Sequence, residues 1–398
     1  MCADFVLKTT HNWYFGEINM DKNTKKLIID SIRHRAVDRI PTMYRGEFPI
    51  NNKLIRYFNL NNLEDDWEKL IELLGADNYS DGETLGGFTT YFPKYIGPDF
   101  GTIFEINRFN IWGIKPVEIY TGGNRDIVFS KNPPLYDCDS LDDVRNYDYP
   151  KLEWFDFSTY KNNSEQIVYN SEDEQDEIKL VDFERSDKYF LNTSCMNSIF
   201  MTSIFMRGMD KMLMDLISNK KYAETLINNI GEFMLEFCRK NLESIGKYID
   251  LYGIWDDFAM QDGLMVPPDI WRKYYKPWDK KIIEVAKKYN LFVCFHICGN
   301  CTDIIPDLIE MGVDILDPVQ TSAKNMEISN LKRLFGKDIC FHGGLDVQKF
   351  LPFVTTDEVR SEVKRIKELF GCDGGIILGP SHYITADTPV ENILAIYK

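Results

Sequence analysis

A chain of 398 residues with 44% hydrophobic side chains can bury a large core, and as a single domain it is of barrel size. Its formal net charge of −16 argues against a nucleic-acid partner, because a phosphate backbone is held by clustered Lys and Arg. The nine scattered cysteines do not make the framework of a secreted disulfide protein.

The opening residues lack a basic stretch followed by an apolar one, and no apolar run reaches bilayer length. The expectation is a cytoplasmic chain with reduced thiols and no membrane partner. Taken in chain order, residues 21–75 are expected to be helical, with NLEDDWEKLIELLGAD the clearest amphipathic stretch. Residues 76–150, rich in Gly, Tyr and Phe, read as irregular strands and turns. A polar segment at about residues 161–187 contains EDEQDE (Glu172–Glu177) and reads as a solvated surface insertion. Residues 209–245 carry a long helical pattern.

From Tyr248 onward strands and helices alternate. YIDLYGIWDD precedes helical PPDIWRKYYKPWDKKIIEVAKKYN, and LFVCFHI precedes CTDIIPDLIEMG, closed by Gly312. VDILDPV leads into MEISNLKRLFG, and ICFHGGLD into DEVRSEVKRIKELFG, where Thr355 and Glu358 form a capping box. GGIILGPSH leads into a last helix capped by Thr388-Pro-Val-Glu391. Strands apolar throughout indicate a parallel sheet covered on both faces.

Polar residues gather where each strand ends: Asp256 and Asp257, His296 and Cys298, Asp317 and Gln320, His342 and Asp346, Ser381 and His382. In a (β/α)8 barrel these ends share the face on which active sites are built. A doubly wound sheet is the alternative, but no dinucleotide or phosphate-loop glycine pattern follows a strand. The expected fold is one (β/α)8 TIM barrel over residues 1–398, with an N-terminal helical segment at about 21–75.

Cys298 and Cys301 form a C-x-x-C, which suits a redox pair or half of a structural zinc site; no second C-x-x-C exists to complete the latter. His296 and Cys298 stand at i and i+2, where a strand points both side chains the same way. A catalytic zinc takes three protein ligands, so a third must come from another strand end, and His382 and His342 are the candidates. His11 and His34 lie outside the barrel rhythm. Asp256 and Asp257 are ligands, acid/base groups or caps of the following segment, and Cys294 is a core residue.

These residues resemble the uroporphyrinogen decarboxylase superfamily, which includes zinc-dependent methyltransferases acting with corrinoid proteins. The matching segments are HRAVDRIPTMYRGEFP, MRGMDKMLMDLI, IWDDFAMQDGLMVPPDIWRKYYKPW, HICGN, MGVDILDPVQ, HGGLDVQ and ILGPSHYITADTPVENILAIY. They span most of residues 30–398, most weakly over 100–190. The resemblance implies a (β/α)8 barrel. Porphyrinogen decarboxylases grip substrate carboxylates with an arginine-rich M-R-Q-A-G-R stretch, of which only Arg45 remains here, so porphyrinogens are not the expected substrate.

The methyltransferase branch carries H-x-C and a distant Cys as its zinc triad. His296 and Cys298 match the first two, and His382 stands in the slot of the third. The resemblance thus implies a zinc site of His296, Cys298 and His382. It also implies a small methylated substrate of the methoxylated aromatic or methylamine class, demethylated onto the corrinoid of a partner protein. The chain itself has no D-x-H-x-x-G cobalamin motif. Asp256, Asp257, Gln261 and His342 are the expected catalytic residues, with Asp317 or Gln320 completing the zinc shell. Decarboxylation of a non-porphyrin or porphyrin-like acid is the alternative, and the oligomeric state is left open, a homodimer included.

Overall fold

Two apolar cores lie on opposite faces of one sheet, as strands apolar on both sides require. The structure, a computed structural model, describes residues 24–77, 90–98, 110–115, 117–121, 124–128, 132–163, 177–179, 190–194 and 198–398. Three helices open it, α1 (Thr24–Ile32), α2 (Phe48–Tyr57) and α3 (Leu63–Leu74). Strands β1 (Thr90–Tyr95), β2 (Val117–Thr121) and β3 (Asn124–Val128), helix α4 (Leu141–Arg145), and strands β4 (Phe155–Asn163) and β5 (Glu177–Lys179) follow.

The repeating part starts at β6 (Asn192–Ser194) and continues with α5 (Ile199–Arg207), α6 (Met209–Ser218), α7 (Lys220–Ile245) and β7 (Leu251–Trp255). Next come α8 (Pro268–Tyr274), α9 (Lys276–Lys288), β8 (Phe292–His296), α10 (Ile305–Met311), β9 (Ile315–Val319) and α11 (Ile328–Phe335). The chain ends with β10 (Cys340–Leu345), α12 (Thr356–Phe370), β11 (Ile376–Pro380) and α13 (Val390–Tyr397). No helix among the described residues is long and apolar enough to cross a membrane.

Strands β6 to β11 are neighbours in chain order and all parallel, the signature of helical crossovers of one hand. Beyond β11 the sheet is extended by residues 41–46. Met43 donates its amide to the Leu378 carbonyl at 2.9 Å, Leu378 donates to Pro41 at 2.9 Å, and Thr42 bridges Leu378 in parallel. The Asp77 amide then donates to Thr42 at 3.0 Å; residues 78–89 lie outside the described residues. At the other end β1 pairs with β6 and carries the antiparallel strands β4 and β5.

The smaller core follows one face of this row. Met43 from the segment beside β11 and Phe190 from just before β6 meet Leu251, Cys294, Ile315, Cys340 and Ile377, roughly one side chain from each strand. This is the layered filling of a barrel interior. Ile28 and Ile32 of α1 close its lower end, where Lys25 pairs with Asp250 at 2.7 Å and the Ser31 hydroxyl donates to the Ile376 carbonyl at 2.7 Å. The larger core lies between the sheet and the helices. The α/β barrel-type architecture expected from the sequence is therefore present, and its upper, C-terminal face is left free for chemistry.

Three expectations change. The helical stretch at 21–75 is interrupted by the strand-like residues 41–46, which the local sequence disguises with a proline and a glycine. The long pattern at 209–245 is two helices, split at Asn219. The Thr388 cap does not form: its amide closes a turn onto Thr385 at 3.1 Å, Pro389 takes the cap position, and the buried Thr388 hydroxyl has no partner among the described residues. The Thr355–Glu358 capping box does form. Most of the polar segment at 161–187 lies outside the described residues.

The loop after β8 turns at Gly299, whose φ of +101° favours glycine, and a Cβ there would lie 2.6 Å from the Met260 carbonyl oxygen. The β8 loop is thereby pressed against the β7 loop, with the Asn300 amide donating to that same carbonyl at 2.8 Å. Gly299→Ala is expected to cost about 1–3 kcal/mol, measured by urea unfolding. A loss below a few tenths would show that the two loops are free to separate.

Candidate metal centre

Trp255, His296 and Asp317 lie side by side at the upper ends of β7, β8 and β9. His296 closes β8 and Cys298 follows in the loop on the same side, with His296 Nε2 3.5 Å from Cys298 Sγ. His382 arrives from the loop after β11, its ring centroid 6.4 Å from that of His296. The donor atoms of His296, Cys298 and His382 all lie within 4.8 Å of one another, a grouping that could hold a metal ion.

The second nitrogen of His296 is also engaged. Its Nδ1 lies 2.5 Å from Asp317 Oδ2, while the other oxygen, Oδ1, lies 2.6 Å from Nδ1 of His342. Arg45 approaches Asp317 Oδ2 at 3.6 Å and lays its guanidinium over the Tyr383 ring at 5.5 Å. Burial alone would raise the Asp317 carboxyl, but Arg45, His342 and His296 outweigh it and hold the group well below the usual carboxylate range. Burial pulls His342 down, which leaves it neutral at pH 7.

His296 is buried in the cluster. Burial would lower it, yet the Cys298 thiol, Asp317 and Asp257 together hold it well above the ordinary histidine value. Acidic groups crowd its Nε2, with Asp257 Oδ1 at 3.8 Å. The donor set of one sulfur and two imidazole nitrogens suits zinc. Surrounding protein, then Arg45 and His296, push His382 down to about 4 and leave a neutral donor at the rim.

The other expected residues divide. Asp257 is half-exposed and accepts from the Cys298 amide at 2.7 Å, beside the cluster. Asp256 is buried and points away, accepting from the Phe200 and Met201 amides at 3.1 and 3.3 Å, the first turn of α5. Gln261 is exposed, and its backbone carbonyl accepts from Lys324. His342 lies beneath Asp317, on the far side from the cluster. Gln320 is buried at the end of β9, and Asp346 caps its own turn through the Gln348 and Lys349 amides. Cys301 is buried in the outer core, where desolvation pushes its thiol up to about 12. Trp255, 4.8 Å from His296 between ring centroids, and Arg45 are neighbours that strand-end counting missed.

Burial raises Asp256 to about 7. A folded carboxyl that keeps its proton while the unfolded one loses it makes stability fall as pH rises from about 4 to about 7. Asp256→Asn is expected to flatten that part of the pH–stability curve, measured by urea unfolding; an unchanged slope would overturn the assignment.

A model of the uroporphyrinogen decarboxylase (URO-D) family matches residues 187–398. The methylcobamide:CoM methyltransferase MtbA of Methanosarcina acetivorans is 22% identical over 184 residues, 45% of this chain and 49% of that protein. The chloroplastic uroporphyrinogen decarboxylase 1 of rice is 24% identical over 172 residues, 42% and 39% of the two chains. The methylated-thiol–coenzyme M methyltransferase of Methanosarcina mazei is 24% identical over 131 residues, 33% and 32%. The chain thus spans about half or less of the length of these curated relatives. A solved methyltransferase from Methanosarcina mazei shares the fold, with a TM-score of 0.58, 15% identity and coverage of 94% of this chain and 97% of that one. With its family model matched across more than half its length, the chain belongs to the uroporphyrinogen decarboxylase family.

Proposed function

We propose that this protein is a zinc-dependent methyltransferase that moves a methyl group between a small substrate and the corrinoid of a partner protein. The observation that carries the proposal is the meeting of His296, Cys298 and His382 at one point, with the second nitrogen of His296 already bound to a carboxylate. Relatives named as methylcobamide:CoM and methylated-thiol methyltransferases support the class. Their names also favour a thiol as the methyl-carrying heteroatom alongside the methoxylated aromatic and methylamine classes.

Bound by these three residues, zinc would act as a Lewis acid toward the substrate's heteroatom. The chain's own residues do the rest. Asp257 holds the Cys298 backbone in place through the amide, and its carboxylate stands where it can take a proton from an incoming thiol or hydroxyl. Trp255 walls one side of the His296 ring. Arg45 and Tyr383 form the wall beside Asp317. Asp256 orders α5 and keeps the β7 loop in position without touching the cluster.

A decarboxylase is the second reading, favoured by the rice relative. The two separate on chelation. Methyl transfer to free cob(I)alamin is expected to stop when a strong chelator removes the metal and to return with added zinc; carbon dioxide release that survives chelation would replace the methyltransferase with the decarboxylase. Pure protein is expected to hold about one zinc per chain, and Cys298→Ala to lose it. X-ray absorption is expected to report one sulfur and two nitrogen ligands. Two sulfurs would bring Cys301 into the site in place of one histidine.

A further inference from the structure

The side chain best held in this site is none of the three donors. Asp317 is fully buried, and both its oxygens are committed, Oδ2 to Nδ1 of His296 at 2.5 Å and Oδ1 to Nδ1 of His342 at 2.6 Å. Arg45, itself buried, stands 3.6 Å from Oδ2. The carboxylate therefore meets His296 on the nitrogen that faces away from Cys298, while Nε2 faces the sulfur at 3.5 Å. A carboxylate on that side cannot ligate an ion held between Nε2, Cys298 and His382. It can only act through the imidazole.

With Arg45 beside it and an imidazole nitrogen on each oxygen, the Asp317 carboxylate is set to accept from both rings, so each histidine brings its proton to Nδ1. For His296 this leaves the Nε2 lone pair as the sole donor for a cation. We infer, on the footing of the zinc centre proposed above, that Asp317 is its positioning residue. It fixes the tautomer and ring plane of His296, and His342 and Arg45 hold Asp317 itself. The register supports this, because His296 and Asp317 are direct neighbours on adjacent parallel strands and His342 comes from the next strand along. His296, Asp317 and His342 thus come from three consecutive strands, and Arg45 from the segment paired beyond β11. Partners that orient a ligating histidine typically change metal affinity by about 10–100-fold when lost.

The test is a zinc titration against a chromophoric chelator, with thermal unfolding recorded alongside. Wild type is expected to bind zinc, Cys298→Ala to lose it, and Asp317→Asn to bind about 10–100-fold more weakly. At saturating zinc, X-ray absorption of Asp317→Asn should still report one sulfur and two nitrogens, which separates a positioning role from ligation. An affinity within about twofold of wild type, or a ligand shell short of one member, overturns the inference while leaving the zinc centre standing. A wild type without zinc affinity overturns both. Should Asp317→Asn fail to fold, wild type with ¹⁵N-labelled histidine decides. Its five histidines keep the assignment short. His296 and His342 are expected as Nδ1–H tautomers, with zinc on Nε2 of His296. Zinc on Nδ1, or a bare Nδ1 on either ring, overturns the inference.

Discussion

Everything at the upper face of this barrel depends on one buried negative charge. Asp317 has no exposure to water, and an isolated carboxylate in such a place would be protonated or would destabilise the fold by several kcal/mol. It stays ionised because Arg45 supplies a full positive charge and two imidazole N–H groups donate to it. Each partner comes from a different strand of the wall, so the charge also fixes the register of the ends. Its ionisation decides the tautomer of His296, and through that the direction in which the cluster presents a lone pair.

The neighbouring acids Asp256 and Asp257 illustrate how burial assigns roles. They are adjacent in sequence, so an extended chain sends them opposite ways. Asp256 turns inward, meets the first amides of α5 and is pushed up to about 7 by burial. Asp257 turns outward, stays half-exposed and lies 3.8 Å from His296 Nε2. The first holds the scaffold and the second faces the chemistry. Composition alone cannot separate them, since both are strand-end acids.

The C-terminal half was legible because apolar strands and amphipathic helices alternate there at regular spacing, and the i, i+2 placement of His296 and Cys298 survives folding unchanged. Other parts were hidden for physical reasons. Residues 41–46 form a strand only by pairing with β11, more than three hundred positions away, so no local periodicity announces it. Strand β6 is Asn-Thr-Ser, polar throughout, and is buried by its surroundings despite its composition. Arg45 looked like a remnant of a carboxylate grip. Its attachment to Asp317 depends on the same long-range pairing that makes its strand.

The C-x-x-C that first draws the eye is divided by the fold. Gly299 turns the chain sharply, so Cys298 remains at the cluster while Cys301 passes through the wall into the outer core, where burial keeps its thiol protonated. The candidate centre thus has one sulfur, and its third donor is a neutral histidine from the loop after β11. This has an electrostatic consequence. A donor set of one thiolate and two imidazoles carries a single negative charge, so a divalent ion held there keeps a net positive charge, where a two-thiolate set would leave none. A divalent ion held there would favour an anionic heteroatom at the open side. Asp257, whose carboxylate lies within 4 Å of His296 Nε2, would then be placed to take the proton from a thiol or hydroxyl as it ionises.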